Sequence, residues 1–127
     1  MNMPKILFLL IIIAAGSLVV FGQGGTANTA RIEFINGKAR VSGSLATGRV
    51  TDYRVLLTKD QIITITNSSY RLFDFRVFHD KYFDEGDFDS SPNYTFEVPK
   101  TGDYLFSVRK KVAGPRTARY SMTIIIK

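Results

Sequence analysis

The sequence predicts an all-β protein, an antiparallel sandwich of about eight strands with jelly-roll or Greek-key connections. Three observations predict it. Apolar and polar residues alternate with a period of two in one stretch after another, as they do when one face of a strand is buried and the other wet. Turn signals separate these stretches. No window carries a helical apolar period with caps, so no helix is expected.

The first 22 residues, MNMPKILFLLIIIAAGSLVVFG, stand outside that pattern. One cation, Lys5, precedes an apolar run from Ile6 to Phe21, and Gly22 follows where a signal peptidase accepts a small residue. The run falls short of the roughly 20 residues of a membrane-spanning helix and lacks a basic stop-transfer flank. Residues 1–22 therefore read as a cleaved secretory signal, and residues 23–127 as a single domain. That domain keeps 16 of the 17 cations and all 11 acids, a formal charge of +5. The chain has no cysteine, which excludes disulfides, thiolate metal clusters and a lipid anchor attached through a thiol. Small exported domains usually rely on disulfides. This one must be held by its core and sheet hydrogen bonds, which suits a bacterial envelope, periplasmic or secreted. No membrane attachment is expected once the signal is removed.

After GGTANTA, a flexible lead-in, strands are expected over residues 31–35, 39–45, 52–58, 61–67, 72–79, 94–98, 103–110 and 119–126. The first two flank Asn36-Gly37, the pair that best tolerates the positive φ of a two-residue hairpin turn. Thr47-Gly48 separates the second from DYRVLLT, which puts Tyr53, Val55 and Leu57 on one face. Lys59-Asp60 precedes QIITITN, where Ile63 and Ile65 lie opposite Ile62. Asn67-Ser68-Ser69 leads to LFDFRVFH, in which Phe73, Phe75 and Val77 face away from Asp74 and Arg76. Ser91-Pro92-Asn93 opens the sixth strand, and Pro99-Lys100-Thr101-Gly102 precedes DYLFSVRK, which aligns Tyr104, Phe106 and Val108. RYSMTIII forms the eighth.

Little in the chain supports catalysis. HDKYFDEGDFDSS holds Asp80, Asp84, Glu85, Asp87 and Asp89, and crowded carboxylates can hold calcium or supply an acid and a base. Their spacing does not match the calcium-loop pattern, and nothing sets one carboxyl apart from the others. The stretch reads first as a solvated acidic loop, with Asp84, Asp87 and Asp89 as candidate calcium ligands. The one histidine, His79, ends a strand and is expected to point to water. No serine lies in a G-x-S-x-G elbow, and no glycine-rich phosphate loop precedes a helix. The chain is read as a non-enzyme without a cofactor.

RKKVAGPRTAR, residues 109–119, is the feature that asks for a partner. Arg109, Lys110, Lys111, Arg116 and Arg119 repel one another unless solvent or an acidic partner relieves them. Cations also deter strand edges from aggregating, so a solvated hairpin is one reading. Nucleic acid is rarely met outside the cytoplasm and is not expected. A protein or glycan with an acidic cleft is the alternative, and Pro115 favours it by limiting the freedom the loop would lose on docking.

From RIEFINGKARVSGSL to the closing RYSMTIIIK, the chain resembles the periplasmic inhibitors of g-type lysozyme, a family related in fold to bacterial pre-peptidase C-terminal domains. The resemblance rests on Ser42-Gly43, Asp52-Tyr53, LTKDQIITITNS and YTFEVPKTGDYLFSV, with the run from Phe96 to Val108 common to the wider group. It implies an eight-stranded sandwich and a non-catalytic inhibitor that places a basic loop in the acidic active-site cleft of a lysozyme. It further implies that Lys110, Lys111 and Arg116 enter or border the cleft, with Arg109 and Arg119 at the borders of the loop. Gly48-Arg49 stands where the family has a tyrosine, and the last loop is shorter; Arg49 joins the expected contact set. The alternative is an accessory module of the pre-peptidase C-terminal kind, recognising a glycan or surface protein through exposed aromatics, with Tyr70, Tyr82 and Phe83 as candidates.

Overall fold

A computed structural model describes residues 19–21, 29–84 and 86–127. Its strands are β1 (Val19–Phe21), β2 (Ala30–Ile32), β3 (Lys38–Ala46), β4 (Val50–Leu57), β5 (Ile62–Asn67), β6 (Phe73–His79), β7 (Phe83–Asp84), β8 (Asn93–Glu97), β9 (Gly102–Lys110) and β10 (Thr117–Ile126). Among the described residues there is no helix, and none long and apolar enough to cross a membrane.

All eight expected strands are present, but the first ends at Ile32 instead of residue 35 and lies in the opposite sheet from β3, so the two do not pair as a hairpin. The two additional ones, β1 and β7, are three and two residues long, too short to show alternation in the sequence. β1 falls within the stretch read as a signal; the rest of that stretch, including the expected cleavage point after Gly22, lies outside the described residues.

The strands form two five-stranded sheets, ordered β1-β3-β10-β5-β8 and β2-β4-β9-β6-β7. With β1 and β2 set aside, the remaining eight strands in chain order pair as 1-8-3-6 in one sheet and 2-7-4-5 in the other. That is the double Greek key of a jelly roll. β1 and β2 depart from the antiparallel expectation: each pairs parallel along an outer edge, β1 with β3 and β2 with β4.

Local chemistry accounts for the turns. Asn36 and Gly37 have φ of 53° and 74°, and Ile35 and Lys38 exchange hydrogen bonds of 3.0 and 3.1 Å around them. Both central residues are left-handed, as a tight two-residue turn of this hand requires, and Ile35 and Lys38 form an isolated bridge across it. Asn67 is fully buried at the end of β5. Its Nδ2 donates to the Phe73 carbonyl at 3.0 Å and its Oδ1 accepts from the Ser69 amide at 2.9 Å, which ties the β5–β6 connection to the sandwich.

Alternation becomes burial between the sheets. β4 buries Thr51, Tyr53, Val55 and Leu57 and turns the residues between them outward. Tyr104, Phe106 and Val108 of β9 meet Ile65, Tyr120 and Met122 of the opposite sheet, all almost wholly enclosed. Burying each such side chain is worth about 1.5–3 kcal/mol. The core also holds a polar link between β4 and β10: the hydroxyls of Tyr53 and Tyr120 hydrogen-bond to each other. A buried hydroxyl needs such a partner, because leaving it unmatched costs its lost hydration.

Candidate functional site

Three connections meet at one end of the sandwich: β3–β4 (residues 47–49), β5–β6 (residues 68–72) and β9–β10 (residues 111–116). Backbone hydrogen bonds tie them together. The Thr47 amide donates to the Arg116 carbonyl at 2.8 Å, Gly48 to Lys110 at 2.9 Å, and Lys110 to Arg49 at 3.0 Å. The Lys111 amide reaches the Leu72 carbonyl of the third connection at 2.8 Å. The sequence holds these residues far apart, but the jelly roll makes them neighbours.

Arg49, Arg71 and Arg116 are exposed on these loops, Lys111 is half-buried, and the loops carry no acid. Lys111 Nζ lies 3.2 Å from the Ser90 hydroxyl and Arg71 lies over the Tyr70 ring at 5.7 Å, so both are held loosely at the surface. Arg119 stands just beyond, exposed on the outer face of β10 opposite Ser44. Arg71 was not among the expected contacts. It is isolated in sequence from the basic run, and only the β5–β6 fold brings it there.

Two of the expected contacts are placed differently. Lys110 does not border a cleft: it is wholly buried, because it continues the inward parity of Tyr104, Phe106 and Val108. Its Nζ donates to the carbonyls of Lys111 and Ala113, both at 2.8 Å. Arg109 has the opposite parity and lies on the outer face of the second sheet. There its guanidinium makes two hydrogen bonds to Asp74, at 3.1 and 2.7 Å, and sits 4.2 Å from the centre of the Phe88 ring. The hydrogen bond to Asp74 holds the guanidinium more basic than usual. Arg109 is engaged by its own fold.

The acidic stretch lies against that same outer face. Asp89 exchanges two backbone hydrogen bonds with Phe75, at 3.0 and 2.7 Å, and Arg76 donates to the Gly86 carbonyl at 3.3 Å. Asp84 Oδ1 accepts from Gly86 and Asp89 Oδ1 from Ser91, so two of the candidate calcium ligands turn to their own backbone. Among the described residues no three ligating side chains come together.

At the far end of β6, His79 does not point to water. Its side chain is 14% exposed, stacks on Tyr82 at 4.6 Å and packs against Tyr104 at 5.0 Å. Its Nδ1 accepts from the Lys81 amide at 3.1 Å, so it closes a turn. Beside it Asp103 bridges Arg31 at 2.8 Å and Arg54 at 3.4 Å, and the Arg31 hydrogen bond lowers the carboxyl's pKa. Arg54, His79, Asp80, Asp103 and Tyr104 line a depression of about 290 Å³. Ser107, elsewhere on β9, donates to Asp52 at 2.6 Å rather than to a histidine.

Nor do the candidate aromatics form one platform. Phe83 stacks on Phe96 at 4.8 Å and packs against the core. Tyr70 and Tyr82 lie beyond opposite ends of β6, whose length of roughly 20 Å keeps them apart.

The fold has known relatives. The chain superposes on PliG of Aeromonas hydrophila, a periplasmic inhibitor of g-type lysozyme, with a TM-score of 0.64 and 18% identity over 87% of this chain and 99% of that one. PliG of Salmonella Typhimurium, described in the same terms, gives 0.61 and 22% over 80% and 100%. The pre-peptidase C-terminal domain of a Bacillus anthracis collagenase gives 0.52 and 17% over 83% and 100%. No protein-family model and no curated protein matches the sequence.

Proposed function

We propose that the exported chain is a non-catalytic protein inhibitor of a lysozyme, of g-type, that covers the acidic active-site cleft with its loop end. The observation that carries this reading is the convergence of Arg49, Arg71, Lys111 and Arg116 on three hydrogen-bonded loops that contain no acid, with Arg119 close by. A surface of one sign on a fixed framework complements a cleft of the other sign, and it gives up little flexibility on docking. The likeness in fold to the PliG structures supports the same reading. Arg116 is the strongest of the contacts, since a guanidinium grips a carboxylate with two parallel hydrogen bonds. Removal of a signal after Gly22 and a periplasmic or secreted location belong to this proposal.

Lysis assays with lysozymes of several types, each titrated with the mature protein, test it. Inhibition confined to g-type enzymes is expected. The variant Lys111→Glu with Arg116→Glu, checked for an unchanged unfolding temperature, should lose that inhibition. Retained inhibition would make the loop a solvated hairpin, and no inhibition by the parent would leave the accessory-module reading in its place.

A further inference from the structure

At the tip of the basic loop stands an apolar residue. Val112 is 82% exposed, more than any other large hydrophobic side chain among the described residues. It sits between Lys111 and Ala113, the two residues whose carbonyls accept from the buried Lys110 ammonium at 2.8 Å. One cation rising out of the core thus fixes the backbone on both sides of Val112, with the carbonyls turned inward. The base of the loop is held as well. Lys111 donates to the Leu72 carbonyl at 2.8 Å, and Gly114, with φ of 77°, leaves room for the Leu72 side chain where a Cβ would lie 2.5 Å from it.

Burying an ammonium that has carbonyls but no carboxylate beside it costs desolvation energy, and the resulting order in a loop gains nothing for a mere solvated hairpin. A knob held rigid in advance does gain on binding, because little freedom remains to be lost. We infer that Val112 is a pre-organised anchor for a protein partner and that Lys110 positions it from inside the fold. The matching surface is a cleft with an acidic margin and an apolar floor: Arg49, Lys111 and Arg116 meet the margin while Val112 enters. An apolar side chain that fills a pocket inside a charged rim adds the free energy of the area it buries.

This rests on the inhibitory reading and adds an apolar contact and a buried positioning residue to it. In lysis assays, Val112→Ser should weaken inhibition about tenfold, whereas Val112→Leu should retain it. In hydrogen exchange, Lys110→Met should speed exchange of the Lys111 amide about tenfold while the Phe106 amide in mid-strand stays protected. Val112→Ser is at the surface and leaves the core as it is, so it remains informative even where Lys110→Met fails to fold. Full inhibition by Val112→Ser would overturn the anchor, and unchanged exchange at Lys111 in folded Lys110→Met would overturn the positioning role. A parent protein that inhibits no lysozyme would remove the inhibitory reading and the anchor together, and the exchange measurement would still decide what Lys110 does.

Discussion

Arg109 and Asp74 form a two-bond ion pair across β9 and β6, with the carboxylate almost wholly enclosed and the guanidinium 41% exposed. The pair is asymmetric, and so are the consequences of breaking it. Arg109→Ala strands a buried carboxylate and should destabilise the protein by about 2 kcal/mol. Asp74→Ala frees a guanidinium that already reaches water and should cost less. Inhibition per folded molecule should survive Arg109→Ala. Urea unfolding of both variants, with an inhibition assay on the first, checks the order.

The protein should weaken in alkali. Burial, with the Tyr120 hydrogen bond second, raises the Tyr53 hydroxyl far above its ordinary 10.0, and burial raises Tyr104 as well. A raised folded-state pKa means that the neutral form is the one the fold favours. The stabilisation is therefore complete below pH 10.0 and is lost progressively as pH climbs above it. Melting temperatures followed from neutral pH upward should fall beyond that point. Tyr53→Phe with Tyr120→Phe should flatten the fall, leaving only the smaller share from Tyr104.

Gly114→Ala should cost about 1–2 kcal/mol, because φ of 77° is unfavourable for a residue with a Cβ. The Leu72 side chain would have to move aside too. Thermal unfolding measures the cost, and a loss near zero would mean that the loop relaxes freely.

Association with the target should slow as salt rises. Exposed charges steer an encounter only over about 8 Å at physiological ionic strength. Rate constants from stopped-flow mixing at several salt concentrations should fall, and they should fall less steeply for Arg116→Ala, with an affinity loss on the order of 2 kcal/mol. An association rate indifferent to salt would argue against cationic docking.

How much of this the sequence reveals depends on whether the cause is local. Period-two alternation in residues 52–58 and 103–110 sets both the strands and the core facing, and Asn36-Gly37 sets its own turn. The parity of Tyr104, Phe106 and Val108 extends to Lys110, so its burial was readable; the charge of the side chain spoke for the surface and concealed it. Arg109 could not be assigned in this way, since its partner Asp74 lies across a non-local register. The same holds for Arg71, which joins Arg49 and Arg116 only because three connections end together. β7 leaves no trace because two residues hold no period.

The position of β10 has a consequence for how the chain comes to be folded. This last strand in chain order lies in the middle of its sheet, pairing with β3 along one side and β5 along the other. Until β10 pairs, β3 and β5 each keep an open edge where it will lie. Both pairings join distant parts of the chain, and such contacts are slow to close.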